Sequence, residues 1–495
     1  MVRPPQYKNL INGEWVDSSS GKSTMNVNPA DTQEVIGEFP SSSIDDVNNA
    51  VATARSAFHS WRLVPAPKRA EILYRAGELL IAQKEELARD MTREMGKVLK
   101  EARGDVQEAI DMTYYIAAEG RRLHGHTTPS ELPDKFMMSV RIPLGAAAVI
   151  TPWNFPVAIP VWKIAPALVS GNTVIFKPAE LTPLCAVKLM EIFQEAGVPP
   201  GVLNLVLGNG KTVGQTIVNH PEVDAISFTG SNEVGCGIYE QGSRRGIRVQ
   251  CEMGGKNPIV VMEDADIDLA VEGVIQGGFG STGQRCTAAS RLIVLESIAE
   301  PFVQKLINRM RKIRIGEGMN TETDIGPLVD EKQMDRVLDY IEIGKEEGAQ
   351  LVYGGRRLDD PPFDRGLFVK PTLFDHVKPA MRIAREEIFG PVVSVLRVKH
   401  FEEAVEVANA VPFGLSASIY TQDIGRAMRF VELADVGKVH INSSTIGGEA
   451  QAPFGGTKST GIGPREQGLE VFEFYTEIKT VYLDYTGKKR DSAFY

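Results

Sequence analysis

Cysteine is scarce in this sequence: Cys185, Cys236, Cys251 and Cys286 are the four in a chain of 495 residues, and no two form a Cys-x-x-Cys pair. That excludes a disulfide framework and points to a reducing, cytoplasmic setting. Histidine is also rare, with seven residues and no His-x-x-x-His or Cys/His spacing. His124 and His126 stand two apart in a loop and read as surface residues, so metal-free chemistry is expected. There is no basic excess: 54 Lys and Arg face 64 Asp and Glu, a net charge of −10. Nonspecific nucleic-acid binding needs the opposite footprint, and no nucleic-acid partner is expected. No apolar run approaches the roughly 18 residues of a membrane-spanning helix. The segment from Met1 to Asp17 is polar, carries Pro4 and Pro5, and lacks the apolar core of a signal peptide.

What is present is the composition of a globular protein, 43% hydrophobic and 24% charged. The length exceeds one simple core and predicts two or three domains. Short strands and turns are predicted before Ile44, with Asn12-Gly13 as a hairpin turn. From Ile44 to Arg122 apolar residues recur at helical spacing, first Val47, Ala50, Val51, Ala54 and Phe58, then Ala70, Leu73, Ala76, Leu79 and Leu80. From Gly145 strands and helices alternate, with strands predicted at 146–150, 173–176, 202–206, 225–228 and 248–251. Thr182 before Pro183 predicts a capped helix start, and Gly197 with Pro199 and Pro200 predicts its end. A second series begins near Asn257, with strands at 259–262, 292–295, 392–396, 417–420 and 438–442 and helices at 302–313 and 401–410. Residues 475–485 read as one tail strand. This is the pattern of an α/β protein whose mostly parallel sheets are covered by helices.

Three short segments carry candidate chemistry. Gly283-Gln284-Arg285-Cys286-Thr287 follows a helix expected to break at Gly277, Gly278 and Gly280. Glycine-rich backbone lets a ligand approach closely, but Cys286 taken alone reads as a small buried residue. Glu252 ends an apolar strand beside Gly254-Gly255. Desolvation would make it a base near neutrality, whereas a salt bridge to Lys256 or Arg248 would make it structural. Asn154 lies in Thr151-Pro152-Trp153-Asn154-Phe155-Pro156 at the C-terminal end of a strand. Its amide can donate to a developing oxyanion or cap a proline-bracketed turn; ligands in open α/β sheets bind at such strand ends. Gly208-Asn209-Gly210-Lys211-Thr212 looks like a nucleoside-triphosphate loop, but Leu205 stands where that loop needs its first glycine.

Over almost its full length the chain resembles the aldehyde dehydrogenase superfamily. The matching motifs, in the family's order, are Pro152-Trp153-Asn154-Phe155-Pro156, Phe228-Thr229-Gly230-Ser231 with Gly235, Glu252-Met253-Gly254-Gly255-Lys256, Gly283-Gln284-Arg285-Cys286, Glu387-Ile388-Phe389-Gly390-Pro391 and Pro453-Phe454-Gly455-Gly456. The resemblance implies that Cys286 is the nucleophile and that Glu252 activates the hydrolytic water. Asn154, with the backbone N–H of Cys286, would form the oxyanion hole. It also implies a nicotinamide cofactor. Lys177 and Glu180 would hold the adenosine ribose, and Ser231 would meet the pyrophosphate at a helix N-terminus. Gly210, Gly214, Phe228, Gly230 and Val234 would shape the adenine and phosphate surface. Glu387, Phe389 and Gln333 would position the nicotinamide ribose, and Pro152, Trp153, Thr229 and Met253 complete the cofactor-binding set. NAD is expected to be preferred, because Glu180 accepts ribose hydroxyls and repels the extra phosphate of NADP. Lys177 attracts that phosphate and keeps NADP possible.

Glu252 separates this reading from coenzyme-A-acylating relatives and favours a free acid as product. A homologue with only a structural or binding role would not need Asn154, Glu252 and Cys286 all intact. The substrate side is expected to include Arg285, Phe155 and Phe454. Arg285 either pairs with a distal carboxylate or bridges a neighbouring acid; Gln107 stands where some semialdehyde relatives place a second arginine. Gly447-Gly448-Glu449 replaces the bulk found in enzymes for apolar aldehydes, and 447–463 most resembles α-ketoglutarate semialdehyde (2,5-dioxopentanoate) dehydrogenases. The expected partner is thus a small-molecule aldehyde, a semialdehyde bearing a distal carboxylate, with broad aldehyde specificity as the alternative. The implied fold is a Rossmann-type cofactor domain (1–121 and 143–254), an α/β catalytic domain (255–474) and a small β oligomerisation arm (122–142 and 475–495). An exposed tail strand on the arm would pair subunits into a homodimer or homotetramer.

Overall fold

The alternating stretch from Gly145 onward folds into two separate sheets, each packed into its own buried core. The structure, a computed structural model, describes residues 3–488, so 489–495 of the expected arm lie outside the described residues. The first sheet runs in the order Glu14–Val16, Asn9–Ile11, Leu203–Leu205, Thr173–Lys177, Ala146–Ile150, Ala225–Thr229, Arg248–Glu252 and Gly461–Ile462. Its central strands are parallel and covered on both faces, which is why they read as continuous apolar runs. Ala146, Ala148 and Ile150 face the helix Ile44–Trp61 through Val47, Val51 and Ala54. Ala147 and Val149 face the opposite core, with helices Ala66–Ala82, Leu99–Glu119 and Ala158–Ser170. Asn12 (φ 56°) and Gly13 (φ 79°) make the expected hairpin turn between the first two strands.

The second sheet has the order Gln350–Tyr353, Thr372–Asp375, Val392–Val398, Ala289–Leu295, Asn257–Val261, Ser416–Tyr420 and Lys438–Ile441. A third, antiparallel sheet joins Thr127–Pro129, Lys135–Pro143 and the tail strand Thr476–Asp484, which forms its outer edge. In the first sheet the register sets Ile150 beside both Lys177 and Phe228, and Thr229 beside Glu252. The carboxyl ends of four parallel strands therefore finish at one rim, the place where such sheets bind ligands.

Packing overrides local signals in three places. Thr182 precedes the helix Pro183–Glu195, but its side chain makes no capping bond. The Glu94 carboxylate caps instead, accepting from the N–H groups of Leu184 (2.6 Å) and Cys185 (3.0 Å). Gly277 and Gly278 do not break the helix Ile267–Phe279; the break comes at Gly280. These glycines let the helix lie close to its sheet, since a Cβ on Gly278 would stand 2.6 Å from Val393 Cγ2. Finally, the chain after Ala450 returns to the first core. Phe454, Val471, Phe472 and Phe474 bury there, and Gly461–Ile462 pairs antiparallel with Arg248–Glu252. No helix among the described residues is long and apolar enough to cross a membrane.

Candidate active site

The rim of the first sheet faces a cleft of about 180 Å³ whose other wall comes from the second sheet. It gathers Pro152, Trp153, Asn154, Thr229, Gly230, Ser231, Met253, Cys286, Gln333, Glu387 and Phe389, residues spread over more than 200 positions of sequence. Ile159 and Arg336 line it as well, and sequence reasoning missed both. Outside the cleft, Glu180 is exposed and accepts from the Gly210 N–H at 3.1 Å. Lys177 is buried beside it, its pKa lowered by burial and raised in part by the Glu180 charge. Phe228 is buried against Gly230, and Val234 is exposed on the helix Asn232–Arg244.

Cys286 sits after a left-handed run of Ser281 (φ 48°), Thr282 (φ 58°) and Gly283 (φ 69°). Such backbone persists only where neighbours over-determine it. Here the Glu101 carboxylate accepts from Ser281 N–H at 2.9 Å, and Thr282 Oγ1 donates to the Gly326 carbonyl at 2.9 Å. Asn257 Nδ2 donates to the Cys286 carbonyl at 2.7 Å, and Thr445 Oγ1 donates to the Thr287 carbonyl at 2.7 Å. Burial pushes the Cys286 thiol up to about 12, the Lys438 cation draws it down, and Glu387 and Glu252 raise it further. Cys251, the other thiol near the rim, is fully buried in the first sheet's core and pushed to about 12.

Glu252 is buried, and its Oε2 has no hydrogen-bond partner. Burial first, then the Glu466 charge, hold its pKa well above the usual carboxylate range against the pull of Lys163 and Arg465. The salt bridge that would make it structural is missing: Arg248 pairs with Glu477, and Lys256 Nζ is buried without a partner. Gly455 (φ 152°) lies over the carboxylate, where a Cβ would collide with Glu252 and Arg465. Asn154 does not cap a turn. Its Nδ2 donates to the Gln284 carbonyl at 3.2 Å, two residues before Cys286, which aims the amide along the cysteine loop.

Glu387 accepts from the Gly255 N–H at 3.1 Å, and a Cβ on Gly254 would collide with its carboxylate. Phe389 is left-handed (φ 61°) and meets Trp153 edge-on at 5.4 Å. Gln333 holds that strained turn, donating to the carbonyls of Ile388 (3.0 Å) and Phe389 (2.8 Å). On the substrate side, Arg285 pairs with Glu101 at 2.9 Å, donates to Ser281 Oγ at 2.9 Å and lies 5.7 Å from the Phe155 ring centre. Of its two possible roles, the bridge to a neighbouring acid is the one formed. Phe454 packs on Trp162 at 5.1 Å.

These residues fit a dinucleotide. Added side chains at Gly210 and Gly214 would meet nothing, so the backbone there is open to a ligand. The bare Gly254 lets Glu387 reach the cleft. A profile described as the aldehyde dehydrogenase family matches residues 15–481. The chain belongs to the aldehyde dehydrogenase family. It is similar to the alpha-ketoglutaric semialdehyde dehydrogenase of Bacillus subtilis, at 47% identity over 96% of this chain and 98% of that one. It is similar to the 2,5-dioxopentanoate dehydrogenase of Saccharolobus solfataricus, at 44% identity over 96% and 99%. Among solved structures, betaine aldehyde dehydrogenase from Staphylococcus aureus in complex with NAD+ superposes with a TM-score of 0.95 at 36% identity, covering 98% of this chain and 96% of that one. As an aldehyde dehydrogenase this chain is an NAD(P)-dependent enzyme that oxidises an aldehyde to the carboxylic acid.

Several residues that hold this aldehyde dehydrogenase site together gave no local signal. Lys163 Nζ donates to Ser227 Oγ at 2.9 Å and pairs with Glu466, whose charge acts on Glu252. Lys97 Nζ donates to the Asn154 carbonyl at 2.7 Å and pairs with Asp105 at 3.0 Å. Both are buried ion pairs, Lys163–Glu466 between distant segments and Lys97–Asp105 within one, and each acts on a motif elsewhere in the sequence, which periodicity and spacing do not report.

Proposed function

We propose that this enzyme oxidises a semialdehyde bearing a distal carboxylate, with NAD preferred and NADP accepted. The observation that carries the mechanism is the convergence of Cys286, Asn154 and Glu387 on one cleft, with Glu252 buried outside its lining but near enough for its charge to act on the Cys286 thiol. The Cys286 thiol gives up its proton, through Glu252 to solvent, with the Lys438 cation favouring the thiolate, and the thiolate attacks the aldehyde carbon. A sulfur–carbon bond forms, and the carbonyl electrons move to an oxygen held by the Asn154 amide and the Cys286 N–H. Losing one such donor costs roughly 100- to 1000-fold in rate. The dinucleotide that Glu387 and Phe389 would help hold would supply the acceptor for the two electrons and the proton that leave the aldehyde carbon. Cys286 is then a thioester. Glu252 takes a proton from a water, the water oxygen adds to the thioester carbonyl, the sulfur–carbon bond breaks, and the acid leaves.

Lys177, Glu180 and Gly210 would hold the adenosine end, Ser231 the pyrophosphate, and Glu387 with Phe389 the nicotinamide ribose. Gln333 acts through the turn it braces. Names of relatives support the substrate: the Bacillus subtilis and Saccharolobus solfataricus proteins are named for the same five-carbon semialdehyde acid. The roomier Gly447-Gly448 segment agrees with a polar substrate. The cofactor and catalytic domains follow the two large sheets, with 450–475 shared between them, and the third sheet is the oligomerisation arm of a homodimer or homotetramer. Four free cysteines agree with a reducing cytoplasm. The test is absorbance of the reduced cofactor on mixing with NAD or NADP and a panel of charged and neutral aldehydes. Equal efficiency for pentanal and 2,5-dioxopentanoate would overturn the substrate reading, and coenzyme-A dependence would overturn the hydrolytic one.

A further inference from the structure

Arg285 is already matched by Glu101, so a substrate carboxylate would have to strip a partly buried acid of its partner to use it. A different cation is free for that task. Lys438 opens the edge strand Lys438–Ile441 of the second sheet. Its ammonium donates to the Gly447 carbonyl, lies 4.9 Å from the centre of the Phe454 ring, and among the described residues forms no ion pair. It is close enough to Cys286 that each perturbs the other's ionisation. Burial lowers its pKa, as expected for a cation waiting in a partly dry site.

Polar side chains gather around Gly448 beside Lys438. A Cβ on Gly448 would stand 3.7 Å from Lys438 Nζ, 3.7 Å from Glu108 Oε1 and 3.9 Å from the Gln467 amide. Gln467 is satisfied when its oxygen accepts from the Trp162 indole N–H at 3.2 Å and its nitrogen donates to the Glu449 carbonyl at 3.3 Å. That orientation turns an amide N–H toward Gly448. Burial, with the Asp105 charge, pushes Glu108 up to about 7, and in this orientation its carboxyl stands against the Gln467 oxygen. Beside Gly448, whose missing side chain leaves room, stand one cation that forms no ion pair among the described residues and one amide donor.

We propose that Lys438, with the Gln467 amide beside it, anchors the distal carboxylate of the substrate, and that Arg285 instead holds Phe155 and the cysteine loop. This rests on the aldehyde-oxidation reading above and names the residue that sets its specificity. A truncated partner of a buried charge pair costs about 2–5 kcal/mol. Lys438→Met should therefore lower the kcat/KM ratio of 2,5-dioxopentanoate over pentanal by at least ~30-fold, through KM rather than kcat. Lys438→Arg should restore most of the ratio, and glutarate should inhibit wild type competitively against aldehyde but inhibit Lys438→Met far more weakly. Should Lys438→Met not fold, the same ratio in Lys438→Gln, which keeps a donor for the Gly447 carbonyl, decides. A wild type that prefers the acid together with a variant that loses both aldehydes equally would overturn the role of Lys438 and leave the substrate reading standing. A wild type without preference would overturn both.

Discussion

The Glu252 carboxylate has one oxygen without a hydrogen bond, and its pKa is held high by burial and by the Glu466 charge. A raised pKa means that the protonated share is larger near neutrality and falls as pH rises. Hydrolysis of the Cys286 thioester should accordingly speed up with pH through that raised value, and Glu252→Gln should remove the slope. Rapid mixing of the variant should show a burst of reduced cofactor followed by slow turnover, because the base serves the water step. Fast steady turnover in Glu252→Gln would leave the residue a structural role. Cofactor choice is also argued at a single residue. Glu180 is exposed and bonded to Gly210 N–H through one oxygen, and in the proposed cofactor site its charge would face the extra phosphate of NADP. Glu180→Gln should narrow the NAD-over-NADP ratio of kcat/KM several-fold. A wild-type preference for NADP would instead assign the dominant charge to Lys177.

Between residue and domain stands the segment 151–157, which carries Asn154 and Phe155 from the strand Ala146–Ile150 to the helix Ala158–Ser170. One buried ion pair clamps its middle and its junction with the helix. Lys97 holds the Asn154 carbonyl and lies 3.9 Å from the Phe155 ring centre, while Asp105 accepts from the Ala158 N–H at 2.8 Å, where the helix lacks a side-chain cap of its own. Lys97→Met should lower kcat about 10- to 100-fold, since misplacing a reacting group by an ångström can cost that much, with little change in KM for NAD. It should also cost about 3–5 kcal/mol of stability, because Asp105 is left buried and uncompensated. Adding Asp105→Asn should recover stability, measured as Tm, but not kcat. If kcat returns with stability, Lys97 serves packing alone. The motif around Asn154 was readable because its residues are adjacent; the clamp was not, because Lys97 and Asp105 come from another helix and its preceding turn. The same holds for Glu94, which caps a helix roughly 90 positions later while the adjacent Thr182 does not.

Over the whole molecule, the strand–helix alternation foretold both sheets, since strands buried on two faces give continuous apolar runs. It did not foretell that 450–475 would return to the first core, because a two-residue strand such as Gly461–Ile462 has no period to detect. The tail strand was legible from its alternation, and its place at the edge of the third sheet bears on assembly. Among the described residues Thr476–Asp484 pairs with Lys135–Pro143 on one side only, and Ile478, Tyr482 and Leu483 are more than half exposed. A paired, apolar-faced ribbon with an open edge is a template for another chain, and the edge strand Lys438–Ile441 presents the exposed Ile441 in the same way. Ile478 and Tyr482 lie two residues apart per step along one face of the strand, so charging both attacks one surface. If the proposed homodimer or homotetramer forms through this strand, Ile478→Lys with Tyr482→Lys should reduce it to the mass of a single chain, read by light scattering after size exclusion, with far-ultraviolet circular dichroism unchanged. An unchanged assembly mass would place the subunit contact elsewhere and leave the third sheet a part of the monomer's own packing.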